Sequence, residues 1–349
     1  MICMTNRTIV SFAGDAIHIN GQPTYAGRTY NGHKIEGLLL NVRLVQATYH
    51  DENPETQSWW RYPDGTDFDP DRNTDQFLKM LPEWRAQGML GFTINLQGGS
   101  PRGYSTDQPW RNSAFTPTGE LKAPYMARIA RVIDAADELG MAVILGYFYF
   151  GQTRHFIDEA AIERAVDNAT DWLLARGDGH VLVEIANECD HWDYPPIIKP
   201  PRAVELIKRV QQRSAGKLRT PAGRLLASTS FLGQAIPSDD VVGAADYLLI
   251  HGNGTKNPDA FRQQIRGTRA HPAYRGQPIV CNEDDHFDFG NPDNNFLVAI
   301  GEYCSWGYFD YRFAGEAWVE GYQSVPTDWS TNSERKKGFF KLLSTITRS

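Results

Sequence analysis

A chain of 349 residues, 41% hydrophobic and 22% charged, has ample material for a large buried core and contains no low-complexity segment. Its formal charge is −7 with Lys and Arg scattered along it, which removes the electrostatic case for nucleic acid or an anionic membrane as partner. The longest apolar run, 141–150, is too short to span a bilayer, and the start MICMTNRTIVSF lacks a basic, apolar leader, so a cytoplasmic location is expected.

Taken in order, the segment TIVSFAGDAIHINGQPTYAG alternates like a small hairpin, turning near Gly14-Asp15 and again at Asn20-Gly21. Strand-like and helix-like runs then alternate regularly. Strands are predicted at 37–49, 89–96, 141–149, 181–188, 225–230, 246–251, 278–283 and within 307–318. Helices are predicted at 73–87, 123–139, 158–176, 202–213, 259–269, 294–306 and 333–347, with only a short helical piece after the fifth strand. Eight strand-then-helix units imply parallel strands joined by crossovers, and their number fits a closed (β/α)8 TIM barrel. The Gly-x-Gly-x-x-Gly turn of a dinucleotide-binding open sheet is absent. No linker divides the chain, so 1–349 is read as one α/β barrel domain, with 1–34 as N-terminal hairpin and lead-in.

Barrel chemistry sits at the carboxyl ends of the strands. The fourth strand ends VLVEIANE, placing Asn187 and Glu188 at its mouth, and the seventh ends PIVCNE, placing Glu283 there. A carboxylate closing an apolar run is costly unless it is paired or used, and two of them suggest a working pair. His251 closes the sixth strand. On the first strand Asn41 and Arg43 share a face, as do Thr93, Asn95 and Gln97 on the second. Glu184 has the parity of Glu188 and, lying deeper, needs a cation such as Arg43. The third strand ends YFYFGQ, where Tyr147 and Tyr149 are candidates to line a pocket.

These mouths resemble those of clan A glycoside hydrolases, the cellulase-like superfamily that includes glycoside hydrolase family five. The resemblance rests on Asn187-Glu188 and on Glu283, with no His at the end of the third strand, which marks a divergent member. It implies a retaining hydrolase in which Glu188 is acid/base, Glu283 is nucleophile and Asn187 bonds the hydroxyl beside the anomeric carbon. It also implies that His251 touches the nucleophile, that Arg43 orders it, and that Trp318 in GEAWVEG floors the first subsite. Such chemistry needs no cofactor or metal, and the expected partner is a carbohydrate.

Nine Trp and fifteen Tyr suit sugar stacking, with Trp59, Trp60, Tyr62, Trp110, Trp192, Tyr194, Trp318 and Trp329 as candidates. The long loops 50–73 and 97–115 are expected to wall the site into a pocket suited to exo action on short glycosides. Cys3, Cys189, Cys281 and Cys304 have no metal-ligand spacing and are read as reduced, Cys189 and Cys281 as small buried apolar residues. Two rival readings stay open. Glu283-Asp284-Asp285-His286, with Asp288, Asp190 and His191, offers ligands for a metal-dependent hydrolase on the same barrel. The other rival is a barrel that binds glycans without cleaving them.

Overall fold

The N-terminal segment turns at Gly14 (φ 62°) and at Asn20-Gly21 (φ 54° and 77°), where an Asn-Gly pair supplies the left-handed backbone of a tight hairpin. The result is an antiparallel sheet of β1 (Val10–Ala13), β2 (Ala16–Ile19) and β3 (Gln22–Pro23), followed by a second hairpin, β4 (Thr29–Tyr30) with β5 (His33–Lys34). The computed structural model describes residues 8–105 and 107–348, so Cys3 lies outside the described residues. Val10 and Ile17 pack in one buried cluster with Leu39, Leu90, Ala142, Leu182 and Val280. Those partners lie at or just before the starts of the barrel strands, so the hairpin plugs the amino-terminal end.

The eight expected barrel strands are β6 (Asn41–Arg43), β7 (Gly91–Asn95), β8 (Ala142–Phe148), β9 (Val181–Ala186), β10 (Leu226–Ser228), β11 (Leu248–His251), β12 (Ile279–Glu283) and β13 (Gly307–Tyr308). Six form a parallel sheet in the order β10-β9-β8-β7-β6-β13, and β11 pairs with β12. Single parallel bridges, Val280 to Ser305 and Asp284 to Tyr308, carry β12 onto β13. Between β10 and β11 the described residues form no ladder, and the hydrogen bond from Asp246 N to Ala227 O (3.0 Å) joins their edges. The helices are α1 (Pro70–Ala86), α2 (Ala123–Glu138), α3 (Glu159–Arg176), α4 (Ala203–Ser214), α5 (Asp239–Ala244), α6 (Pro258–Arg269), α7 (Asn295–Gly301) and α8 (Glu334–Arg348). Trp84 of α1 stacks on Phe340 of α8 at 6.1 Å, closing the outer ring. Among the described residues no helix is long and apolar enough to cross a membrane.

Of the boundaries that differ from the sequence reading, three have a clear local reason. The first strand yields to a 3₁₀ turn at Val45–Thr48, because Asn73 and Thr74 of α1 take the carbonyls of Gln46 and Ala47 that a ladder would have used. That helix starts at Pro70 rather than 73, since Asp69 caps the amides of Asp71 and Arg72 and proline suits the first turn. The eighth strand, expected within 307–318, takes only its first two residues, and the stretch beyond forms a loop tied down by Asp310, whose carboxylate accepts from Tyr322 N at 2.7 Å.

Alternation along the strands sorts their side chains. On β9, Val183 and Ile185 join the core under the helices, while Leu182 points to the axis, a parity shared by Glu184 and Glu188. Gly146 on β8 makes room for a neighbour: a Cβ there would stand 2.2 Å from Asn95 Oδ1. The axis is thus apolar at its plugged end and polar toward the carboxyl ends.

Candidate active site

At the mouth of β9 the chain enters the left-handed region at Glu188 (φ 54°), a conformation costly for a residue with a Cβ. Ser230 holds it there: its hydroxyl accepts from Glu188 N at 2.9 Å and its carbonyl from Cys189 N at 2.8 Å. Across the axis Glu283 ends β12, opposite His251, where the pairing of β12 with β11 slips by one residue at Asn282. The slip turns Glu283 toward Glu188. Carboxylate oxygens of the two and a ring nitrogen of His251 lie within 4.8 Å of one another. The pair is nearly covered, Glu188 keeping 7% and Glu283 5% of its surface exposed.

Arg43 organises the acids. Its Nε lies 2.8 Å from Glu283 Oε2, and its Nη2 donates to Asn187 Oδ1 at 2.7 Å. Of the two partners expected for Arg43, the nucleophile candidate Glu283 is the one it touches, and the deeper Glu184 instead receives a hydrogen bond from Asn282 Nδ2 at 3.4 Å. Burial pushes Glu184 and Glu283 above the usual carboxylate range, and the Arg43 guanidinium opposes it at both. Burial also works against the Arg43 charge, but the surrounding carboxylates prevail and raise it.

Burial raises Glu188 from 4.5 to about 7, against the pull of Arg43. Glu188 thus keeps a proton near neutral pH beside an ion-paired Glu283. His251 Nδ1 is 3.1 Å from Glu188 Oε1 and 3.7 Å from Glu283 Oε2, so it touches both acids and lies nearer the first. Burial holds its imidazole below the ordinary value, hence neutral.

A stability prediction follows. Between about pH 4.5 and 7 the folded chain holds a Glu188 proton that the unfolded chain has released. That contribution is fully present below 4.5 and lost as pH rises through about 7. Glu188→Gln is therefore expected to flatten the fall in stability over that window, by up to about 3 kcal/mol. Urea unfolding of both proteins at pH 4.5, 6 and 8 checks it, and parallel curves would refute it.

Two side chains absent from the sequence reading complete the centre. Asn253 Nδ2 donates to Glu283 Oε1 at 3.0 Å and to Tyr104 OH at 3.1 Å, and Tyr104 donates to Asp285 Oδ2 at 2.9 Å. Asn253 sits in a Gly-Asn-Gly turn just past β11, where the pattern His-Gly-Asn-Gly at a strand mouth was the available signal. Its approach needs Gly233, whose Cβ would lie 2.2 Å from Asn253 O. Tyr104 comes from the middle of the second loop, and no periodicity marks it. Asn253→Ala should lower kcat/KM about 10- to 100-fold, the worth of one hydrogen bond to a charged acceptor, with folding stability little changed.

The other candidates divide. Tyr149 lies beside the centre, its hydroxyl 3.1 Å from Ser100 Oγ and its pKa raised by burial and then by Glu283. Tyr147 does not line a pocket: it is buried in the core under the helices, beside Thr170 of α3. Asn95 is buried on the axis against Gly146. Gln97 turns away to bind Ser113 Oγ at 3.0 Å and so anchors the second loop instead of meeting substrate. Trp318 is half-buried in the loop after β13, where its carbonyl accepts from Arg312 at 3.1 Å. The rings that reach the centre from this region are Phe309 and Tyr311, packed on Tyr104 at 5.8 and 4.8 Å. Of the eight aromatics expected to stack on sugar, Trp60, Tyr62, Trp110, Tyr194 and Trp329 are buried, whereas Trp59 and Trp192 are exposed. Cys189, Cys281 and Cys304 are free and buried.

Asp284, Asp285 and His286 also lie within 4.8 Å of one another, as a metal site would require. Asp284 is already committed to Trp306 Nε1 at 2.8 Å and Asn295 Nδ2 at 2.9 Å. Burial opposes the charge of His286, yet Asp284 and Asp285 raise it to about 9, making it an imidazolium donor at neutral pH and a poor ligand.

No protein-family model matches the chain, and no curated protein matches it. Solved structures do. A Bacteroides vulgatus protein assigned as a glycoside hydrolase superposes with a TM-score of 0.58 at 13% identity, over 98% of this chain and 61% of that one, so this chain spans about three fifths of its length. A family-five broad-specificity endoglucanase from Bacteroides salanitronis gives 0.55 at 12% identity, covering 88% of this chain and 92% of that one. A β-1,4-D-mannanase from Cryptopygus antarcticus gives 0.54 at 11%, covering 97% and 94%. By fold the chain resembles these family-five glycoside hydrolase barrels.

Proposed function

We propose that the protein is a retaining glycoside hydrolase acting by double displacement. The observation that carries this reading is the separation of the carboxylates, within 4.8 Å at the mouths of β9 and β12. A retaining pair sits about 5–5.5 Å apart, whereas an inverting pair needs roughly 6.5–9.5 Å to admit water. Glu188, protonated up to about pH 7, donates to the leaving glycosidic oxygen. Glu283, its charge supported by Arg43 and Asn253, attacks the anomeric carbon. Glu188 then takes a proton from the water that cleaves the glycosyl-enzyme. The neighbours in fold that bear glucanase and mannanase names support a carbohydrate substrate. A glycan-binding barrel without catalysis has no use for two buried acids facing each other, one of them held by an arginine.

The test is a panel of aryl pyranosides and furanosides. Proton NMR of the first-formed sugar should show the substrate's own anomer, and the opposite anomer would overturn the retaining reading. With poor leaving groups kcat/KM is expected to fall above about pH 7 as Glu188 deprotonates. A dinitrophenyl glycoside, which needs no protonation to depart, should lose that limb.

The two long loops and the last loop leave a surface groove between them. Between Trp59 and Trp60 of the first, Pro101 and Arg102 of the second, and 312–316 of the last lies a groove of about 610 Å³. Aromatic rims on such a groove suit a longer glycan, which supports oligosaccharides as substrates.

A further inference from the structure

The chemistry of that groove is not that of a neutral sugar cleft. Its apolar surfaces are Trp59, 46% exposed, and Phe313, 41% exposed. Between them stand two guanidiniums, Arg102 and Arg312. Arg102 lies over the Trp59 ring, 5.2 Å from its centroid. Arg312 is braced by the carbonyls of Trp318 and Pro326 at 3.1 and 2.9 Å, and its buried Nε donates to no protein atom. Among the described residues neither has a carboxylate within ion-pair distance. The acid that shares the groove, Glu316, is held by Arg335 at 2.8 and 3.0 Å, and Glu320 behind it lies 3.2 Å from the same Arg335. A protein of net charge −7 thus presents in one groove two guanidiniums with no carboxylate at ion-pair distance, Arg312 meeting Asp310, Asp328, Glu316 and Glu320 only at longer range.

The loop that carries Arg102 also reaches the acid pair, through Tyr104. Arg102 and Tyr104 are two residues apart, roughly 7 Å at full extension. Tyr104 OH is bonded to Asn253, and Asn253 to Glu283. Val325 N donates to Pro101 O at 2.9 Å, which fixes the groove wall to the same loop.

We propose that this groove binds an anionic residue of the glycan, a uronate carboxylate or a sulfate ester, with its ring stacked on Trp59 and its charge on Arg102 and Arg312. Guanidinium forks match both anions, and aromatic faces match the ring between them. The inference extends the glycosidase reading by naming the substrate class.

The experiment is a binding screen of the full chain carrying Glu283→Gln, to prevent turnover, against matched neutral, uronate-bearing and sulfated oligosaccharides. Acidic members should bind at least about tenfold more tightly than their neutral counterparts, less so in high salt. Arg102→Gln should erase the preference, and Trp59→Ala should weaken acidic and neutral members alike. Whichever acidic set binds identifies the anion. Equal binding of neutral members, a preference that survives Arg102→Gln, or no acidic glycan bound would overturn the proposal. A chain that binds acidic glycans through Arg102 yet cleaves no glycoside would retire the hydrolase reading and leave the groove's ligand standing.

Discussion

Glu283→Ala is expected to cut hydrolysis of aryl glycosides by on the order of 10⁴-fold or more, and azide is expected to restore turnover in part. The substitution removes the group that attacks carbon but leaves the apparatus that held it. Arg43 Nε and Asn253 Nδ2, now 2.8 and 3.0 Å from the two carboxylate oxygens, would flank a space the size of the lost carboxylate and favour a small anion there. Azide attacking from that side in a single displacement gives a glycosyl azide of inverted anomeric configuration. In Glu188→Ala the nucleophile survives, so azide instead intercepts the glycosyl-enzyme and the product keeps the substrate's configuration. The two product anomers, read by NMR, assign the roles independently of rate. Retained configuration from Glu283→Ala, or turnover close to that of the parent, would mean that Glu283 is not the nucleophile.

The parts of this site legible in the sequence are those that strand parity and strand ends dictate. Glu188 and Glu283 close apolar runs, and an apolar run that ends in an acid carries its own signal. His251 was found in the same way. Arg43 follows from its parity and its contact with Glu283 from the resemblance, whereas parity alone points equally to Glu184, because the register slip between β11 and β12 that turns Glu283 closer leaves no mark in the sequence. Gln97 shares parity with Asn95, yet the strand stops at Asn95 and the backbone turns, so alternation no longer governs the residue beyond. Tyr147 fails for a related reason: it lies within β8 and faces the helices, while Tyr149 lies past its end. Asn253 and Tyr104 sit in loops, where placement depends on contacts between segments distant in sequence. The fold was easier, because eight alternations are a repeated signal, and its errors fall where side chains of one element satisfy the backbone of another, as Asn73 does at Gln46 and Ala47.

Arg43→Met should be the most damaging substitution to the fold itself, at about 3–5 kcal/mol, because it strands buried acids without their cation. Methionine approximates the stem of arginine, so the loss reports charge more than volume. Two consequences separate this account from simple misfit. Burial already raises Glu184 and Glu283, and without Arg43 nothing comparable opposes it. Their folded pKa values then lie further above the unfolded ones, so the stability they contribute is present below about pH 4.5 and lost as pH rises. The deficit of Arg43→Met relative to the parent should therefore shrink between pH 7 and pH 5. Glu184→Gln, added to Arg43→Met, should recover part of the loss, because it removes one stranded charge, whereas in the parent it removes a compensated one. Arg43→Lys keeps the charge but not the fork that meets Glu283 and Asn187 together, so it should fold better than the methionine variant and still lose most activity. Urea unfolding of the four proteins at both pH values decides the matter. A deficit equal at pH 5 and 7, with no recovery from Glu184→Gln, would show that Arg43 acts by packing and that the acids beneath the site do not depend on it for their charge.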